Sequence, residues 1–181
     1  MRRITKATLG GLAGCALIFG ATQSAGGAAS VVRQTFSGEL TDYNTATTDG
    51  PFDSAEALVK VTETPDGTYF WIRVKGIDLE AAGDDFGAHL HTGPCLENQP
   101  SSALGHYNDT GGEANRETEV WFDLVPDEYG VAVDQTLVSF VPDDPDNDGV
   151  MSIVIHAEDA ATPGPLSPRL ACIPLIVLSW A

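Results

Sequence analysis

The chain has 181 residues, 43% of them hydrophobic, and a formal charge of −17 from 26 acidic and nine basic side chains. That length and apolar content suit one well-filled domain. The acidic balance favours solubility and argues against nucleic acid and anionic membrane surfaces as partners.

Residues 1–29 read as a secretory signal. Arg2, Arg3 and Lys6 form a basic start, an apolar run follows from Ala7 to Ala21, and Gly27-Ala28-Ala29 offers a cleavage site before Ser30. Its removal takes away three cations and no anion. Residues 30–181 then carry six cations against 26 acidic groups, a net −20. Leu12-Ala13-Gly14-Cys15 also has the form of a lipoprotein processing box, but Ala16-Leu17-Ile18-Phe19 continues the apolar run beyond it. Free export is therefore the preferred reading, to the cell envelope or beyond. No later apolar run is long enough to span a bilayer.

The domain at 30–181 reads as strands separated by Gly, Pro, Asp and Asn. Val31–Leu40 is a first candidate, and residues 41–54 look like an exposed loop. Ala57–Thr62 alternates, with Ala57, Val59 and Val61 on one face. Pro65-Asp66-Gly67 marks a turn. Tyr69–Lys75 alternates again, with Phe70, Ile72 and Val74 facing one way and Trp71, Arg73 and Lys75 the other. These two runs make the clearest hairpin. Further strands are expected at Phe86–His91, Glu119–Leu124, Val131–Val133, Leu137–Val141, Met151–His156 and Ala171–Leu178. No segment shows sustained helical periodicity. About eight strands with short turns imply an all-β fold, an antiparallel Greek-key sandwich or flattened barrel.

All four histidines lie in three short segments: Gly87-Ala88-His89-Leu90-His91, Gly105-His106-Tyr107-Asn108-Asp109 and Val154-Ile155-His156-Ala157-Glu158. Residues i and i+2 of a strand share a face, so His89 and His91 form a chelating pair. His156 falls on another strand and His106 in a loop. Four imidazoles meeting at one point would suit tetragonal copper(II). Outside the signal the cysteines are Cys95 and Cys172, an even pair in an exported domain and the pattern expected of one disulfide. Asp144-x-Asp146-x-Asp148-Gly149 begins like a calcium loop, but its twelfth position is Ile155. An acidic hairpin tip accounts for residues 143–149 adequately.

Taken in order with Ser167-Pro168-Arg169-Leu170-Ala171-Cys172, these segments resemble the copper/zinc superoxide dismutase family over about residues 57–178. The resemblance implies one copper held by His89, His91, His106 and His156, and a Cys95–Cys172 disulfide. It also implies superoxide anion as substrate, disproportionated to oxygen and hydrogen peroxide. His106 matches the imidazole that bridges copper and zinc in zinc-containing members and accepts a proton in the reduced state. Arg169 matches the arginine that attracts the anion.

Two departures point to the copper-only branch of that family. Tyr107–Glu119 contains no histidine, which leaves no nitrogen donors for zinc. The twelve residues between His156 and Arg169 form a short loop without lysine. In that branch a carboxylate can replace zinc as the partner of the bridging histidine; Asp109, Glu113, Glu158 and Asp159 are candidates, and the sequence does not choose among them. Ser167 and Ile173 also stand where the family usually has glycine. The alternatives to an exported superoxide dismutase are a secreted copper-binding protein of the same fold with little turnover, and a structural sandwich that merely retains the motifs. The strong negative charge and shortened loop lean toward the copper-binding alternative, because the field opposes approach of an anion.

Overall fold

Side chains that point alternately inward and outward along each strand build two facing sheets, as the period-2 pleat requires. The computed structural model describes residues 32–43, 50–143, 149–157 and 168–176; the expected signal at 1–29 with the processing-box match at Cys15, residues 144–148, and Glu158 and Asp159 lie outside them. Among the described residues nine strands run β1 Val32–Glu39, β2 Thr41–Asp42, β3 Glu56–Thr64, β4 Gly67–Lys75, β5 Phe86–His91, β6 Trp121–Leu124, β7 Val131–Val138, β8 Val150–His156 and β9 Arg169–Ile176. Among the described residues the helical structure consists of two 3-10 turns, Leu79–Ala81 and Pro100–Ala103.

The sheets have orders β1-β3-β4-β7 and β2-β9-β8-β5-β6, and every pairing is antiparallel. β4 pairs with β7 and β5 with β8, so the chain leaves each sheet and returns beside an earlier strand. That is Greek-key connectivity. Between the sheets lie Val59, Ile72 and Phe70 from one side and Leu90, Phe122 and Ile153 from the other, all buried. Phe70 meets Phe122 edge to face across the layer, with ring centroids 6.5 Å apart.

The expected sandwich is therefore present, with three local corrections. Val131–Val133 and Leu137–Val141 are not two strands. Asp134-Gln135-Thr136 continues the alternation instead of turning, and one strand, β7, covers Val131–Val138. Residues 41–54 are not simply an exposed loop: Thr41–Asp42 pairs with β9, while Tyr43 and Phe52 are buried. Phe52 packs edge-on against Phe86, an apolar anchor that the surrounding Asp, Asn, Thr and Gly conceal in the sequence. Finally, β6 begins at Trp121, not Glu119, although Val120 still accepts a hydrogen bond from the Leu90 amide.

No helix among the described residues is long and apolar enough to cross a membrane. Cys95 and Cys172 form a disulfide, which fits an oxidising, extracellular setting.

Candidate metal centre

The pleat of β5 sends Phe86, Ala88 and Leu90 into the core and His89 and His91 to the outer face of the five-stranded sheet. There the segment from Thr92 to Val120 covers them. His91 and His89 are 0% and 2% exposed. The cover is pinned closely. Gly93 lies against the Ser102–Ala103 backbone so tightly that a Cβ would stand 2.3 Å from the Ser102 carbonyl oxygen. Ser152 donates to the Gly93 carbonyl at 2.7 Å, and Cys95 is bonded to Cys172 on β9.

His106 is brought in by backbone pairing. It forms an isolated antiparallel bridge with His91, flanked by Tyr107 N–H to Leu90 O at 2.7 Å and Thr92 N–H to Gly105 O at 3.1 Å. His156 ends β8, where the register with β9 shifts between Ile155 and His156. Such an irregularity re-aims a side chain at the end of a ladder. Ring centroids lie 4.2 Å apart for His89–His106, 4.7 Å for His91–His106 and 5.5 Å for His91–His156. The four histidines separated by up to 67 positions in the chain thus meet in one cluster.

Hydrogen bonds define which nitrogen each ring offers. His91 Nδ1 lies 3.3 Å from the Leu104 carbonyl, which can only accept, so Nδ1 carries the proton and Nε2 holds a lone pair. That Nε2 stands 3.3 Å from His156 Nε2. His106 Nδ1 donates to Glu119 Oε2 at 3.0 Å, which likewise leaves its Nε2 as a donor to metal. His89 Nδ1 is buried and has no hydrogen-bond partner among the described residues. A buried, unpartnered imidazole nitrogen is costly unless something binds it. The ligand atoms of His91, His106 and His156 lie within 4.8 Å of one another, as do those of His89, His106 and Glu119. These buried groups can hold a metal ion.

Glu119 is the residue that sequence reading missed. It is 4% exposed and is the carboxylate partner of His106. Its Oε2 also accepts from Trp121 Nε1 at 2.8 Å, and its Oε1 from Asn108 Nδ2 at 3.3 Å. Burial alone would raise its pKa, but bonds from His106, Trp121 and Asn108 together hold it below the ordinary value. Asp109 and Glu113 instead lie exposed. Asp109 is anchored through its amide to the Thr118 carbonyl. The available signal was a glutamate opening an apolar run, Glu119-Val120-Trp121-Phe122, where a carboxylate needs a partner.

Arg169, first residue of β9, pairs in register with His156. Its guanidinium donates Nη1 to the Pro100 carbonyl and Nη2 to the Leu104 carbonyl. The Leu104 oxygen therefore serves both Arg169 and His91. Leu104 adopts a positive φ of 59°, uncommon for a residue with a side chain. A guanidinium carries five N–H groups, so these two bonds do not exhaust it.

The metal-free pocket has an acid-sensitive signature. Burial, reinforced by the neighbouring His106, pushes His89 and His91 down to about 2. Unfolded, both would protonate below about 6.5. The unfolded chain then binds more protons, so the stability these groups contribute is complete above about 6.5 and is lost as pH falls toward 2. At pH 5 each histidine is expected to cost up to about 2 kcal/mol. Urea midpoints of the metal-free chain should fall between pH 7 and pH 5; midpoints that stay level would contradict the neutral, buried assignment.

No family model matches this chain, and no curated protein matches it.

Proposed function

We propose that the centre binds one copper ion and that the protein is an exported, copper-only superoxide dismutase. The observation that carries this reading is the donor set. His91 and His156 face each other through Nε2 at 3.3 Å, Glu119 on the Nδ1 of His106 leaves that ring's Nε2 open, and the buried Nδ1 of His89 has no hydrogen-bond partner among the described residues. An all-imidazole set suits copper, and when bound there copper supplies a one-electron couple between its two oxidation states. The overall reaction converts two superoxide anions and two protons to oxygen and hydrogen peroxide.

The chain's own groups have distinct tasks in that reaction. The Arg169 guanidinium, beside His156, attracts the anion and can donate hydrogen bonds to it. Glu119 fixes the His106 ring, so that a proton taken up by the histidine is carried on Nε2, facing the reactants. His106 is the most accessible of the four rings, with 24% of its side chain exposed, and gives that proton a route to solvent. With Glu119 on its Nδ1, His106 has no nitrogen left for zinc.

A second reading, copper buffering without useful turnover, is favoured by the −20 charge, which repels superoxide. One experiment separates them. The exported chain is loaded with copper and zinc together, and metal content and superoxide removal are measured. One copper per chain and substoichiometric zinc are expected; equal copper and zinc would sink the copper-only proposal. Arg169→Ala should retain copper while activity falls about tenfold, equivalent to about 1.4 kcal/mol. Copper-loaded protein with activity no higher than buffer would establish the buffering reading instead.

A further inference from the structure

Six cations remain in residues 30–181, and two of them lie away from the first sheet. Arg116 forms a two-pronged pair with Asp123 at 2.7 and 2.8 Å, and Arg169 holds the loop carbonyls. The other four, Arg33, Lys60, Arg73 and Lys75, all project from one surface, the outer face of the β1-β3-β4-β7 sheet.

The strand register places them in order. Arg33 pairs with Thr62, which pairs with Tyr69. In the next outward row Lys60 pairs with Trp71, and in the next Leu58 pairs with Arg73. Each row is one strand farther across and two residues farther along. Strand spacing and rise then give a diagonal stripe of positive charge with steps on the order of 8 Å. Those three rows contain no carboxylate, in a chain with 26. Carboxylates appear in the fourth row, where Glu39 pairs with Glu56 and Glu56 meets Lys75 at 2.9 Å.

Aromatic and apolar groups lie between the cations. Lys60 Nζ stands 4.8 Å from the Trp71 ring centroid, so the indole lies along the sheet under an ammonium group. Tyr69 donates to Gln135, and beside them Val133 and Leu137 are 52% and 62% exposed. The metal centre occupies the outer face of the opposite sheet. An occupant of the basic face would leave the centre open.

We infer that this face binds a linear anionic polysaccharide, its carboxylates or sulfates paired with the Arg33–Lys60–Arg73 stripe, in which Trp71 seats Lys60, and its sugar rings packed against Tyr69 and Leu137. A narrow chain fits because screening confines its electrostatic contact to the stripe: the Debye length is about 8 Å at physiological salt. A planar anionic membrane would also meet the acidic remainder of the molecule. A second copy docked face to face would set this stripe against its own like charges. Nucleic acid could use the same cations and rings, but the disulfide fits an extracellular setting where glycans are the prevalent polyanions.

The test uses the exported, copper-loaded chain and four probes: polygalacturonate, neutral dextran, oligo(dT) and phosphatidylglycerol vesicles. Binding to polygalacturonate is expected, lost as salt rises, with none to dextran. Lys60→Gln/Arg73→Gln should bind about tenfold more weakly, with melting temperature and copper content unchanged. Trp71→Leu should also weaken binding. Absence of binding to polygalacturonate, or equal binding by the double variant, would overturn the inference. Stronger binding to oligo(dT) or to vesicles would replace it with nucleic acid or membrane. A dimer in sedimentation that Trp71→Leu dissociates would replace it with self-association.

Discussion

On the proposed function, a chain carrying His106→Ala is expected to bind copper at least about tenfold more weakly and to lose most superoxide turnover. His106 belongs to both clusters of ligand atoms, so its removal breaks the arrangement at its centre. The variant also takes one of the three hydrogen bonds from Glu119, leaving Oε2 with Trp121 and Oε1 with Asn108. Glu119→Gln provides the companion measurement. It retains shape but loses the charge that orients the His106 Nδ1–H, so copper content should persist while turnover falls by about tenfold or more. The two variants are compared by copper titration and by superoxide removal per bound copper. His106→Ala with undiminished affinity and activity would end the role assigned to this residue. Equal loss of copper in both variants would make Glu119 a requirement for metal retention, not an orienting group.

Removing the disulfide is expected to have the largest effect on stability. Cys95–Cys172 closes a loop with a sequence separation of 77. By the chain-entropy relation, such a loop contributes about 4 kcal/mol. For a domain of this size that corresponds to a fall in melting temperature of roughly 10 °C. Cys95→Ser/Cys172→Ser should show it in thermal melts. The consequence reaches the metal, because the disulfide ties the segment leading to His106 onto β9, next to Arg169. Loss of the tether should weaken copper binding as well as the fold. A melting temperature unchanged by the double substitution would mean that Gly93, Ser152 and the Arg169 contacts alone hold the cover in place.

The charge distribution sets the ionic-strength response of the proposed activity. Over the whole domain the field repels superoxide, whereas Arg169 attracts it locally. Activity that rises with salt would mean that bulk repulsion dominates; a fall would mean that the guanidinium steers. The basic stripe lies on the opposite sheet, so its neutralisation by a polyanion should alter tethering more than turnover.

What the sequence by itself determined was the part governed by local periodicity. Alternation in Ala57–Thr62 and Tyr69–Lys75 defined the first hairpin and its buried face. The one-residue spacing of His89 and His91 placed both rings on one side of β5, because strand pleat depends only on adjacent residues. Cys95 and Cys172 were the available pair outside residues 1–29. The tertiary structure decided what depends on distant segments meeting. Glu119, thirteen positions from His106, became its partner through the path of the covering segment. The Leu104 carbonyl became shared by His91 and Arg169 because β9 lies beside β8 and the loop folds over both. Arg33, Lys60 and Arg73 became one stripe only when β1, β3 and β4 paired in register. Side-chain direction is a local property of the backbone, but the neighbour a side chain meets is set by long-range packing, which leaves little trace in spacing along the chain.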